Sequence, residues 1–156
     1  MRVPYPCTGA PFHDVAVFCF LRRTINLLKV PVISVVDDDQ SMRDATSRLV
    51  RSLGFAVATF ASAEDFLESA RVDDTSCLIT DVQMPGLSGV ELQSRLIAEG
   101  RHMPIIGITA HPEDSIRTQM LEAGAVGFLN KPFNDECLIT CLATALKSRD
   151  TQHSPH

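Results

Sequence analysis

The amino-acid sequence predicts an α/β fold, a doubly wound parallel sheet assembled from five βα units. Two observations carry that prediction. From Pro31 onward, short β-branched runs alternate with longer stretches whose apolar residues recur at helical spacing, the pattern of a parallel sheet with helices on both faces. The first of these runs, Val32–Val36, is nearly continuously apolar, as suits a strand buried on both sides.

Five strands follow from the runs Val32–Val36, Ala56–Phe60, Cys77–Thr80, Ile105–Thr109 and Val126–Leu129. Between the first two, Met42, Ala45, Leu49, Val50 and Leu53 fall on one helical face, and Gly54 supplies a C-terminal stop. Further helices are read at Ala63–Ala70, Gly89–Glu99, Pro112–Ala123 and Asn134–Lys147. Ser62 and Asn134 suit N-caps, with Glu64, Asp65, Asp135 and Glu136 in the first turns that follow. Pro112 suits a first helical turn and Gly124 a helix end. Residues 31–147 therefore form one domain, with a polar tail over 148–156.

Residues 1–30 break early periodicity with Pro4, Pro6, Gly9 and Pro11. Three readings of this segment stay open: a poorly ordered extension or overextended reading frame, a docking helix, or a weak membrane-surface anchor. Its apolar run, Val15–Leu21, is far shorter than the ~20 residues that span a bilayer. Charges before the run and a cleavage site after it, which a signal peptide needs, are unconvincing. The expectation is a cytoplasmic protein with no membrane association.

Of the charged residues, 19 are Asp or Glu and 14 Lys or Arg, a net charge of −5. That sign argues against direct binding of nucleic acid through a basic face. The five cysteines include no CxxC pair and no zinc-type cluster. Cys137 and Cys141, one turn apart, are expected on the core face of their helix.

In an open α/β sheet, ligands bind beyond the carboxyl ends of the strands. Those ends carry Asp37, Asp38 and Asp39 after strand one, Asp81 after strand three, Thr109 after strand four, and Asn130, Lys131 and Pro132 after strand five. An acidic triplet by itself is an ordinary solvated turn, and Thr109 or Lys131 alone would signify nothing. Together they differ. With strands one and three adjacent, Asp37 or Asp38 approaches Asp81, and such like charges call for a cation or proton. A hard divalent ion such as Mg²⁺ takes one or two carboxylates and keeps waters and phosphate oxygens. A strand-end carboxylate can also be a nucleophile toward phosphorus, with Lys131 and Thr109 balancing the charge of the phosphoryl group.

These residues carry a family resemblance: VVDDD at 35–39, TDVQMPGLSG at 80–89, ITAH at 108–111 and AGAVGFLNKPF at 123–133. From about Val32 to Lys147 the chain resembles the receiver domain of two-component response regulators, most closely the FixJ-type branch. The resemblance implies a flavodoxin-like strand order of 2-1-3-4-5. It implies that Asp81 is the phosphorylated aspartate, and that Asp37, Asp38 and Asp81 hold Mg²⁺ with the backbone carbonyl of Gln83. Asp39 is then a bystander. Thr109 is implied to move to the phosphoryl group while Phe128 turns inward as the switch aromatic. His111 and Gln83 stand where they could tune loss of the phosphoryl group. The Lys131–Pro132 bond is expected to be cis, which would aim the lysine inward. Met84, Pro85 and Gly86 form a turn close to the metal site.

The implied function is a switch rather than an enzyme. A sensor histidine kinase or phosphotransfer protein is the expected donor. As read, the chain resembles a stand-alone receiver, so the output is expected through a downstream protein contact, a homodimer through the last two helices and strand five, or competition for phosphoryl groups. Three other readings compete. A haloacid-dehalogenase-like phosphotransferase lacks support, because the residue two after Asp81 is Gln83 and not a second carboxylate. A flavodoxin-like cofactor binder conflicts with Asp37–Asp39, which would repel a phosphate. A receiver fold that binds partners without phosphorylation stays open.

Overall fold

The computed structural model describes residues 30–152; the readings made for 1–29 and 153–156 lie outside them. Five strands, β1 (Val32–Val36), β2 (Ala56–Phe60), β3 (Thr75–Asp81), β4 (Ile105–Thr109) and β5 (Gly127–Asn130), form one parallel sheet in the order 2-1-3-4-5. The helices are α1 (Gln40–Ser52), α2 (Ala63–Glu68), α3 (Gly89–Ala98), α4 (Asp114–Glu122) and α5 (Asp135–Gln152), with a 3₁₀ turn at Ala70–Val72.

Side-chain alternation divides the core into two layers. Ile33, Val35, Cys77, Ile79, Ile106, Ile108 and Leu129 pack with α1 and α5. On the other face, Val36, Leu78 and Ile105 meet Phe66 of α2, Leu92 and Leu96 of α3, and Met120 of α4. Burial of each such side chain contributes about 1.5–3 kcal/mol before conformational entropy is subtracted. Cys137 and Cys141 are buried in the first layer, as their spacing suggested. Edge strand β2 is half-exposed, whereas every residue of β4 is buried.

Several boundaries depart from the sequence reading. Strand β3 starts at Thr75, because the Thr75 hydroxyl, 2.7 Å from that of Ser34, also donates to the Arg71 carbonyl at 2.6 Å, so a polar residue is satisfied inside the sheet. Helix α2 stops at Glu68, where Ser69 turns extended and its hydroxyl donates to the Phe66 carbonyl at 2.8 Å. Pro112 lies outside α4, because Glu113 is extended (φ −127°, ψ 128°) and the helix begins at Asp114. Helix α5 continues to Gln152, into the segment read as a tail. On α1, Ala45 is exposed, and the buried stripe is Thr46, Ser47 and Val50. Ser62 caps α2 as expected, accepting from the Asp65 N–H at 3.0 Å, and Asn134 accepts from the Cys137 N–H at 3.1 Å through its carbonyl. Gly54 and Gly124 close α1 and α4 with φ of 98° and 111°.

Candidate functional site

Parallel register brings the carboxyl ends of β1, β3, β4 and β5 to one edge, and the polar residues gather there. Asp81 is the last residue of β3, pairs with Ile108 and is buried. Asp37 follows β1 and is buried beside it, while Asp38 is exposed. Carboxylate oxygens of Asp37, Asp38 and Asp81 lie within 4.8 Å of one another. This all-oxygen donor set suits a hard divalent cation such as Mg²⁺.

Lys131 reaches into the same space from the end of β5. Its ammonium donates to Asp81 Oδ2 at 3.1 Å and to Asp37 Oδ2 at 3.2 Å. The Lys131–Pro132 peptide is cis. The other oxygen of each carboxylate is held by backbone: Asp39 N–H donates to Asp37 Oδ1 at 2.9 Å, and Gln83 N–H to Asp81 Oδ1 at 3.2 Å. Burial raises the Asp37 carboxyl above its ordinary range, and the Asp81 charge adds to this; the Asp39 N–H and Lys131 oppose them. For Lys131, burial acts to lower the pKa, but the charges of Asp37 and Asp81 outweigh it and hold the ammonium above its ordinary value.

Thr109 ends β4, one residue past the Asp81–Ile108 pair, and is buried. Its hydroxyl oxygen accepts from the His111 N–H at 3.1 Å, and its carbonyl accepts from the Lys131 N–H at 2.7 Å. The His111 side chain itself is exposed, so backbone is what this residue brings to Thr109. Phe128 lies in β5, partly buried, paired with Gly107 of β4. It borders a groove of ≈ 810 Å³ with Arg117, Asn130, Pro132 and Phe133.

Several contacts at this edge escaped the sequence reading. Asp39, taken there as a bystander, is the N-cap of α1: its carboxylate accepts from the Ser41 N–H at 2.9 Å. An aspartate directly before a helix is a recognised start signal and could have been read so. Arg43 donates to the Asp37 carbonyl at 2.6 Å, pinning the turn after β1. Glu64 accepts from the Leu87 N–H at 3.0 Å and so ties the loop after Asp81 to α2. Gly86 in that loop has φ of 77°, a conformation that favours glycine. At Gly89 a Cβ would come within 2.4 Å of the Asp81 carbonyl oxygen, so α3 can start against the end of β3 only without a side chain there.

Residues 33–143 match the family model described as the response regulator receiver domain. The chain is 41% identical over 127 residues to nodulation protein W of Bradyrhizobium diazoefficiens, covering 79% of this chain and 56% of that protein. It is 40% identical over 126 residues to the response regulator protein TodT of Pseudomonas putida, covering 81% and 56%. The chain thus spans about half the length of the curated relatives it matches. Among solved structures, response regulator StyR superposes with a TM-score of 0.70 at 41% identity, covering 79% of this chain and 66% of that one. FixJ-N gives 0.67 at 33% identity, covering 83% and 99%. Sheet order, acidic cluster and sequence agree, and the chain belongs to the response regulator receiver domain family of two-component systems.

Proposed function

We propose that the chain is a phosphorylation-controlled signalling receiver in which Asp81 accepts a phosphoryl group from a phosphohistidine of a sensor kinase or phosphotransfer protein. The observation that carries this reading is the Asp81 carboxylate, buried, paired with Lys131 at 3.1 Å and clustered with Asp37 and Asp38. A carboxylate oxygen of Asp81 forms the new O–P bond as the donor N–P bond breaks, and the imidazole keeps that electron pair and takes up a proton. Asp37, Asp38 and Asp81, with the Gln83 carbonyl, would hold Mg²⁺, which supplies neutralising charge to the transferring group. Lys131 sits where it can pair with a phosphoryl oxygen, and the Thr109 hydroxyl, accepting from His111, still has its own proton to donate.

The protein acts as a phosphoryl acceptor rather than a turnover enzyme. Its readout is a protein contact, either a downstream partner or a second copy, at the groove where Phe128 meets Arg117 and Phe133. Incubation with Mg²⁺ and acetyl phosphate, followed by intact-mass measurement, tests the reading. One added phosphoryl group in the wild type and none in Asp81→Asn is the expected result. No gain in the wild type overturns it and favours a receiver fold that works through binding alone. Size measured with and without phosphorylation tests the dimer, which an unchanged monomer would exclude.

A further inference from the structure

Among the described residues, Gly107 is the one glycine inside a fully buried strand, and no backbone demand explains it. Glycine weakens a strand interior and often marks a close approach by another group. Its φ is not positive, so the reason is space. A Cβ at this position would stand 3.3 Å from both Sδ and Cε of Met120 and 3.3 Å from Cδ2 of Phe128. Those distances are shorter than ordinary carbon contacts of about 3.5–4.0 Å. A methyl would thus be pinched between the two side chains.

The register explains why the pinch matters. Gly107 pairs with Phe128 across β4 and β5, and it precedes Thr109 by two residues, so all three lie on one face of the sheet. Met120 is fully buried on that face beneath α4, whereas Phe128 is only partly buried. Met120 is enclosed on every side, whereas the ring is open to the groove on one side and is the freer of the two to move. A methyl at 107 would therefore push the ring away from the sheet.

We infer that Gly107 is a positioning residue: by leaving its side-chain space empty, it forms the seat on β4 that lets the Phe128 ring pack beside Thr109 and against Met120. The inference rests on the receiver function proposed above and adds to it the residue that sets where the aromatic can sit. It predicts that Gly107→Ala uncouples the ring from phosphorylation without touching the acceptor.

The test uses the full chain labelled with 4-fluorophenylalanine, its Phe128 ¹⁹F resonance assigned by its loss in Phe128→Leu, with intact mass scored in parallel. Acetyl phosphate and Mg²⁺ should move the wild-type resonance. In Gly107→Ala the phosphoryl group should still be gained while the Phe128 resonance stays still, and Gly107→Ala/Met120→Ala, which reopens the space from the other wall, should regain the movement. Movement in Gly107→Ala equal to wild type overturns the inference, as does loss of phosphoryl gain in folded Gly107→Ala. Should Gly107→Ala alone fail to fold, a folded double variant with a responsive resonance supports the seat, and a double variant that also fails overturns it. A wild type that gains no phosphoryl group overturns the proposed function itself; one that gains it with a static Phe128 resonance overturns this inference alone.

Discussion

Lys131 donates to Asp81 at 3.1 Å from a position where it also meets Asp37 at 3.2 Å, so one ammonium bridges two strand-end carboxylates and offsets part of their charge. Lys131→Met leaves both carboxylates without that partner. It should lower the unfolding free energy at neutral pH by about 1–3 kcal/mol, measured by urea denaturation without divalent ions. Because the lysine pKa is raised on folding, its contribution is present below its ordinary 10.5 and fades as pH climbs through the higher folded value. A loss in Lys131→Met that persists unchanged far above that range would contradict the pairing.

Asp37 has the same linkage sign in a far more acidic window. Burial raises its carboxyl above 3.8, so the folded protein binds that proton more tightly than the unfolded chain does. Stability from this group is greatest below 3.8 and declines as pH rises through the folded value. Asp37→Asn should therefore make the ion-free protein more stable at neutral pH by roughly 1 kcal/mol, while weakening Mg²⁺ binding by at least about tenfold. Thermal unfolding at several pH values, together with calorimetric titration of Mg²⁺, reads both effects. Equal stability of variant and wild type at neutral pH would count against the burial cost.

Gly89 meets the Asp81 carbonyl oxygen where a side chain would go. Gly89→Ala should destabilise the fold by about 1–3 kcal/mol through overpacking and slow phosphoryl gain at Asp81, because the strand end must shift. Urea denaturation and the time course of intact mass check it; wild-type values for both would show that the close approach relaxes at no cost.

Asp39 takes its place in the site through local structure. Asp39→Ala removes the cap on α1 and should cost about 1 kcal/mol, with Mg²⁺ affinity retained. A large fall in that affinity would instead make Asp39 a metal ligand.

Much of this architecture was legible in the sequence because apolar runs of β-branched residues have few alternatives to a buried strand. Asp37, Asp81, Thr109 and Lys131 were legible for a related reason: each lies at or just past the end of such a run, and parallel strands deliver their ends to one edge. What stayed hidden were polar residues satisfied by distant partners. Gln93, nearly fully buried, donates from its side chain to the Met120 carbonyl at 3.0 Å, and no local pattern announces a bond between α3 and α4. Thr75 was left out of β3 because its two hydroxyl partners, Ser34 and Arg71, lie elsewhere in the chain. Gly107 reads as a flaw in a strand until the neighbours across it are known.

The contact between Glu64 and the loop after Asp81 has an evolutionary corollary. A Cβ at position 86 would fall 2.7 Å from Glu64 Oε2, the same oxygen that receives the Leu87 N–H. Positions 64 and 86 are thus a matched pair: a descendant that acquires a side chain at 86 must also surrender this glutamate pose, and the loop beside Asp81 would have to find another anchor.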